Sequence, residues 1–215
     1  GYDYDVVNSD VILNRMEVVD GNIVLPDGLS FRVLVLPEQN HIPLDVLRKL
    51  ESMVQAGATI IGSRPTQVPY LNNFAEDNEA LDDLVNKMWG SVDGTSVKIN
   101  KYGKGRVIEG LQAREVLLAD GIEPDFSCED QVNIDFIHRQ SGNEEIYFIS
   151  NKTDIAYLGA CTFRVDGKYP ELWDPSTGEQ LRIEEYKDAG GRISITLDLD
   201  PGEAVFVAVS YTHLR

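Results

Sequence analysis

The hydrophobic period of this chain changes once, near residue 125, and that change constrains the fold more than any single motif. Before it, strand and helix signals alternate. Ser30-Phe31-Arg32-Val33-Leu34-Val35-Leu36-Pro37 is a short, nearly continuous apolar run, the pattern of a strand buried on both faces. Pro43 then stands where a helix can begin. Leu44, Leu47, Leu50 and Val54 recur at helical spacing, with Arg48, Lys49, Glu51 and Gln55 turned outward and Gly57 as the stop. Ala58-Thr59-Ile60-Ile61-Gly62 reads as a second buried strand. Leu81, Leu84, Val85, Met88 and Trp89 form another helical face, ended by Gly90. Gly105-Arg106-Val107-Ile108 is a third strand, followed by a short helix over 113–119 and a stop at Asp120-Gly121. Such alternation implies right-handed crossovers and a doubly wound, mostly parallel α/β sheet.

After residue 125 the period is two. Val132, Ile134 and Phe136 alternate with Asn133 and Asp135, and Ile146 and Phe148 continue the pattern beyond a Ser141-Gly142-Asn143 turn. Cys161, Phe163 and Val165 lead into Asp166-Gly167, a hairpin signal. Ile193, Ile195, Leu197 and Leu199 alternate with Ser194, Thr196 and Asp198. Asp200-Pro201-Gly202 turns the chain, and Val205, Val207 and Val209 return it. Roughly seven short strands and no useful helix predict an antiparallel β-sandwich. The expected division is 1–125 for the α/β domain and 126–209 for the sandwich. Residues 210–215, Ser210 to Arg215, break the pattern and read as a non-native tail. With Gly rather than Met at position 1, the chain reads as a fragment cut at both ends.

Composition narrows the function classes. The 215 residues carry 36 acidic against 19 basic side chains, a net charge of −17. A surface of that sign repels phosphate backbones, so no nucleic-acid partner is expected. The longest apolar runs are about six residues against the ~20 a bilayer-spanning helix needs, so no membrane span is expected. Two cysteines, Cys128 and Cys161, make no disulfide framework. Three scattered histidines, His41, His138 and His213, show no zinc spacing. Neither metal nor cofactor is expected.

The strand ends are where an α/β layer would hold its chemistry. Leu36-Pro37-Glu38-Gln39-Asn40-His41 and Ile61-Gly62-Ser63-Arg64-Pro65 contain no Cys, and Ser63 lacks a Gly-x-Ser-x-Gly context, so covalent catalysis finds no nucleophile. Glu38 and His41 are the candidate pair, because a carboxylate beside an imidazole tunes it for proton transfer. Their bland reading is a polar loop with its carboxylate near a helix start. Lys101-Tyr102-Gly103-Lys104-Gly105-Arg106 is basic but precedes a strand, so it reads as a hairpin turn and not a phosphate cradle. Glu76-Asp77-Glu79, Asp82-Asp83, Glu144-Glu145 and Glu184-Glu185 read as solvated surface, not as a facing glycosidase pair. Trp173, with Tyr169 and Tyr186, either stacks on sugar rings or anchors the core.

Taken in order, several segments resemble a known family. Gly1-Tyr2-Asp3-Tyr4-Asp5-Val6-Val7-Asn8 before a short helix, the Phe31–Pro37 run and Gly57–Gly62 are similar to the region after the catalytic barrel in large glycoside hydrolases. Ile137-His138-Arg139, Tyr147-Phe148-Ile149-Ser150-Asn151, Thr162-Phe163-Arg164-Val165 and Glu171-Leu172-Trp173-Asp174-Pro175-Ser176-Thr177-Gly178 resemble their C-terminal sandwich. The group is the α-L-rhamnosidase type, glycoside hydrolase family 106, and the likeness runs to about Val209. The resemblance implies a class I glutamine amidotransferase-like, flavodoxin-like α/β domain without its nucleophile, N-terminally truncated, followed by the sandwich. It implies catalytic carboxylates in a (β/α)8 barrel outside this chain, so no catalytic residue is carried over to any position. The partner it implies is the parent's barrel, with carbohydrate contact through Glu38, His41 or Trp173, in a periplasmic or extracellular setting.

Overall fold

A computed structural model of the chain describes residues 1–129, 134–167, 169–188 and 190–210. The expectations for Val132 and Asn133 and for residues 211–215 lie outside the described residues. The chain divides into two units, Asp5–Gly121 and a second made of Gly1–Tyr4 with residues from Ile122 onward.

The first unit begins with α1 (Ser9–Asn14), capped by the Asn8 side chain accepting from Val11 N at 3.1 Å. A three-stranded antiparallel meander follows: β1 (Glu17–Val19), β2 (Asn22–Val24) and β3 (Ser30–Phe31). Next come β4 (Val33–Val35), α2 (Leu44–Ala56), β5 (Thr59–Ile61), α3 (Phe74–Trp89), β6 (Ile99–Tyr102), β7 (Gly105–Ile108) and α4 (Ala113–Ala119). The second sheet has the order β4-β5-β7-β6. β4, β5 and β7 are parallel, and β6 runs antiparallel to β7.

The strand pleat sorts this unit's core into two layers. Leu34, Ile60 and Val107 share one register row and join the large cluster built from α2 and α3, with Leu47, Leu50, Leu81, Met88 and Trp89 buried in it. Ile61 and Ile108 face the other way and pack under Val116 of α4. Helices thus cover both faces. The order β4-β5-β7 advances in one direction only, with both crossover helices, α2 and α3, on the same face.

Two details of this unit differ from the sequence reading. The Ser30–Pro37 run is not one strand: Phe31 pairs with Ile23 in the meander, whereas Val33–Val35 starts the parallel sheet. It is not buried on both faces either, because β4 is an edge strand and Val35 is 54% exposed. The Lys101–Arg106 segment does form a hairpin, with Tyr102 opposite Gly105. Its glycines are required by a close crossing over the end of α2. A Cβ on Gly103, whose φ is +60°, would lie 2.5 Å from Gln55 Cα, and one on Gly105 would lie 2.2 Å from the Ala58 carbonyl oxygen.

In the described part of the second unit, all regular elements are strands: β8 (Phe126–Cys128), β9 (Ile134–Ser141), β10 (Glu144–Asn151), β11 (Tyr157–Phe163), β12 (Tyr169–Trp173), β13 (Gln180–Arg182), β14 (Lys187–Asp188), β15 (Ile193–Leu199) and β16 (Ala204–Ser210). They form two antiparallel sheets, β13-β12-β16-β10-β9 and β14-β15-β11-β8. Inward side chains of both sheets, among them Tyr147, Ile149, Phe163, Ile195, Leu197 and Val207, make one apolar cluster. Gly1–Tyr4 belongs here because Tyr2 Oη donates to the Ile122 carbonyl at 2.6 Å and Asp3 pairs with Arg139 at 3.0 Å.

Three expectations are corrected in this unit. In β10 the core positions are Tyr147 and Ile149, both fully buried, not Ile146 and Phe148. This strand is apolar on both phases, and Phe148 instead meets Phe206 on the opposite face, ring centroids 5.0 Å apart. Asp166-Gly167 closes no hairpin, since β11 pairs with β15 and β8 whereas β12 pairs with β16 and β13. The turn carries the chain from one sheet to the other. Ser210 is the last residue of β16, opposite Tyr169, and not the start of a tail.

Candidate functional site

Parallel strands leave their carboxyl ends open for ligands, and the first unit has a depression there. Beyond β4 and β5 the pairing continues as an isolated bridge between His41 and Gln67. Ile42 N donates to the Gln67 carbonyl at 3.1 Å, and Thr66 N to the Asn40 carbonyl at 2.8 Å. The two loops are therefore laced together. Val68 N donates to Asn78 Oδ1 at 2.9 Å, which ties the second loop to α3. Between them lies an open cavity of about 420 Å³, lined by His41, the Gln67–Pro69 backbone run, Tyr70, Leu71 and Phe74. Leu71 is 89% exposed, and Tyr70 and Phe74 on the same lining are partly exposed.

His41 lines this cavity and Glu38 does not. The two form no hydrogen bond or ion pair with each other. The imidazole Nδ1 instead lies 3.3 Å from Asn40 Oδ1. Both side chains are exposed on the loop after β4.

Trp173, at the end of β12, belongs to the second unit and is half-buried. Its indole N–H donates to Glu171 Oε2 at 3.1 Å. The following Asp174-Pro175-Ser176-Thr177-Gly178 segment is a hairpin cap that joins β12 to β13. Asp174 accepts from Ser176 N at 2.7 Å and from Thr177 Oγ1 at 2.9 Å, and Gly178 N closes onto the Asp174 carbonyl at 2.8 Å. The Ser176 and Thr177 hydrogen bonds hold the Asp174 carboxyl below its ordinary range. The tryptophan–aspartate–proline motif is accounted for by turn chemistry.

Sequence reading missed a mostly buried charge cluster in this unit. His138 Nε2 lies 2.9 Å from Glu145 Oε2, and its Nδ1 lies 3.5 Å from Asp125 Oδ2. All three side chains are 14–17% exposed. Arg164 completes the arrangement, its Nε donating to Asp125 Oδ1 at 2.7 Å and its Nη2 pairing with the same oxygen. Burial alone would lower the His138 pKa, but hydrogen bonds to Asp125 and Glu145 overcome it and raise the pKa. Burial opposes Asp125 in the same way, and the His138 hydrogen bond and Arg164 charge hold it below its ordinary value. The imidazole stacks on Tyr147, centroids 4.1 Å apart and 4° from parallel. Burial, with the charges of Asp125 and Glu145, pushes the Tyr147 hydroxyl well up, and that hydroxyl has no hydrogen-bond partner among the described residues. Glu145 had read as solvated surface. The Gly142 turn sets His138 opposite Tyr147 and one row from Glu145, a signal present in the sequence, whereas nothing local announces Asp125.

Among the described residues no group of His, Cys, Asp and Glu is placed to hold a metal ion, and no helix is long and apolar enough to cross a membrane. The family model described as α-L-rhamnosidase, glycoside hydrolase family 106, matches residues 1–188. The chain belongs to this rhamnosidase family. It is 33% identical, over 208 residues, to a putative β-glucuronidase of Formosa agariphila, covering 96% of this chain and 17% of that protein. The rhamnosidase of Novosphingobium sp. PP1Y superposes with a TM-score of 0.84 at 33% identity, covering 99% of this chain and 20% of that one. A β-galactosidase from Bacillus circulans sp. alkalophilus matches with a TM-score of 0.50 and 12% identity over 84% of this chain and 33% of that one, a likeness of fold alone. This rhamnosidase-family chain therefore spans about a fifth of the length of the first two relatives.

Proposed function

We propose that this chain is a non-catalytic accessory portion of a larger α-L-rhamnosidase-type enzyme acting on plant or bacterial polysaccharide. It would buttress a (β/α)8 catalytic barrel carried elsewhere in the parent chain. The observation that carries this reading is the coverage: nearly all of this chain matches about a fifth of each relative, and a barrel alone takes ~250 residues. The missing nucleophile at the strand ends supports it. We read the first unit as an amidotransferase-like layer serving packing instead of catalysis, which its parallel strands and two-sided helices support. We read the second as a β-sandwich, supported by two antiparallel sheets sharing one core. We place the main boundary between the two domains near residue 125. Leu71, Tyr70 and Phe74 form the apolar patch where the rest of the parent would rest.

The test is hydrolysis of aryl α-L-rhamnosides and aryl β-glucuronides by this chain alone and by a parent that contains it. The chain alone is expected to be inert and the parent active. Release of product by the chain alone sinks the reading. Leu71→Asp in the parent is expected to lower its thermal midpoint while leaving this chain's own midpoint unchanged.

A second reading, a self-sufficient carbohydrate-binding module or small hydrolase using Glu38 and His41, draws on the open cavity that His41 shares with Tyr70 and Phe74. Calorimetric titration with rhamnose-containing oligosaccharides tests it, with His41→Ala and Trp173→Ala locating any heat. Saturable binding lost in His41→Ala would favour this reading over the first.

A further inference from the structure

The two cysteines are far apart in sequence, and the fold makes them neighbours. Cys128 on β8 and Cys161 on β11 are direct partners in the antiparallel register. Their kind of pairing follows from the ladder. Glu129 N donates to the Ala160 carbonyl at 3.1 Å, and Arg164 N to the Asp125 carbonyl at 2.8 Å. Hydrogen-bonded pairs therefore fall at 129/160, 127/162 and 125/164, which leaves 128/161 as a non-hydrogen-bonded pair. Such pairs have the shorter Cα separation, about 4.5 Å, and a disulfide spans about 4.4 to 6.8 Å. The two sulfurs are already 3.3 Å apart.

Their environments are unequal. Cys161 is fully buried in the core and Cys128 is half-buried on β8, an edge strand of the four-stranded sheet. A reagent reaching the sheet edge meets Cys128 first. The Cys161 hydrogen bond holds the Cys128 thiol below its ordinary range. Interaction with Cys128 together with burial pushes Cys161 up. Cys128 is the attacking sulfur by both accessibility and ionisation.

We propose that Cys128 and Cys161 are a redox-convertible pair that closes a cross-strand disulfide in the presence of a small disulfide such as oxidised glutathione. The Cys128 thiolate attacks one sulfur of the reagent, its S–S bond breaks, and one small thiol leaves. Cys161 then attacks Cys128 in the mixed disulfide, forming the protein S–S bond and expelling the second small thiol. Two electrons pass from the protein to the reagent, and the two thiol protons end on the two released thiols. The bond staples β8 to β11 and closes a loop between residues 33 apart in sequence.

The experiment equilibrates the whole chain in glutathione buffers of increasing oxidation, quenches by alkylation, and maps linked peptides by mass spectrometry. The expected product is monomeric, lighter by two hydrogens, and linked between Cys128 and Cys161. Its unfolding equilibrium constant, compared with the reduced chain in denaturant, is expected to fall by about 30- to 1000-fold. Cys128→Ser is expected to abolish the product and leave the reduced chain's unfolding little changed. Two thiols that stay free in fully oxidising buffer, a product that stops at glutathione on Cys128, or dimers linked between chains would each overturn the proposal. So would a linked chain that unfolds more readily than the reduced one.

Discussion

The two units solve the same problem, a single apolar core, with opposite use of polar groups. In the Asp5–Gly121 unit the interior is almost purely apolar, and its polar pairs, such as Arg106 with Asp120 and Tyr102 with Glu51, sit at the margin. In the unit from Ile122 onward, an imidazole between two carboxylates, a tyrosine hydroxyl, a cysteine pair and Asn151 lie in or beside the core. Asn151 is fully buried and donates to the carbonyls of Ile155, Leu199 and Asp200. Helices settle their backbone partners locally, so an apolar stripe suffices to place them. Strands paired across long sequence separations can slip, and groups that are satisfied in one register only discriminate against the slips.

Perturbing each core in turn sharpens this contrast. The largest effect is expected from Trp89→Ala in the first unit. The indole is fully buried and donates to the Gly62 carbonyl at 3.1 Å, so its loss costs about 4 kcal/mol, read as a lower denaturant midpoint. A cost below about 1 kcal/mol would break the picture of a rigid apolar core. His138→Ala comes next, at about 2–3 kcal/mol, because it removes the imidazole from between two mostly buried carboxylates, of which Asp125 keeps Arg164 and Glu145 keeps the Gln140 amide at 3.3 Å.

That cluster also has a pH signature. The His138 pKa is raised in the folded state, so its stabilisation is full below the ordinary value of 6.5 and fades as pH rises through the raised value. The Asp125 pKa is lowered, so its share is present above 3.8 and is lost as pH falls through the depressed value. The second unit is expected to be most stable between these limits and to weaken toward pH 9. Denaturant midpoints from pH 5 to 9 check this, and His138→Gln is expected to flatten the alkaline limb. An unchanged alkaline limb in that variant would assign it to other groups. The smallest effect is expected from Lys152→Ala. Its pairing with Asp135 is solvent-exposed, and the midpoint should not move measurably.

Much of the first unit was legible because its signals are local. The α2 stripe of Leu44, Leu47, Leu50 and Val54, the Gly57 stop and the 113–119 helix are statements about neighbours three or four residues apart. The edge position of β4, which leaves Val35 exposed, is not local: it depends on which strands stand beside it. The alternation of Ile193 to Leu199 was equally legible, being apolar on one phase only. β10 was misphased because Ile146 and Phe148 are as apolar as Tyr147 and Ile149, so pattern alone could not choose a face.

The same limit governed the sites. His41 could be placed at a strand end from sequence, but the loop lacing that opens a cavity beside Tyr70 and Phe74, without Glu38, arises only in the folded chain. By itself the sequence determined the change of period, the helices, most strand positions, the net acidity and the absence of a nucleophile after β4 and β5. Only the tertiary structure decided which strands are partners and which sheet faces pack together, and with them the meeting of Cys128 with Cys161 along one sheet and of Asp125 with His138 between the two. Cys128 and Cys161, 33 positions apart, meet through strand pairing, and Asp125 and His138, 13 positions apart, meet across the two sheets. Both depend on the whole two-sheet core, not on any window of sequence.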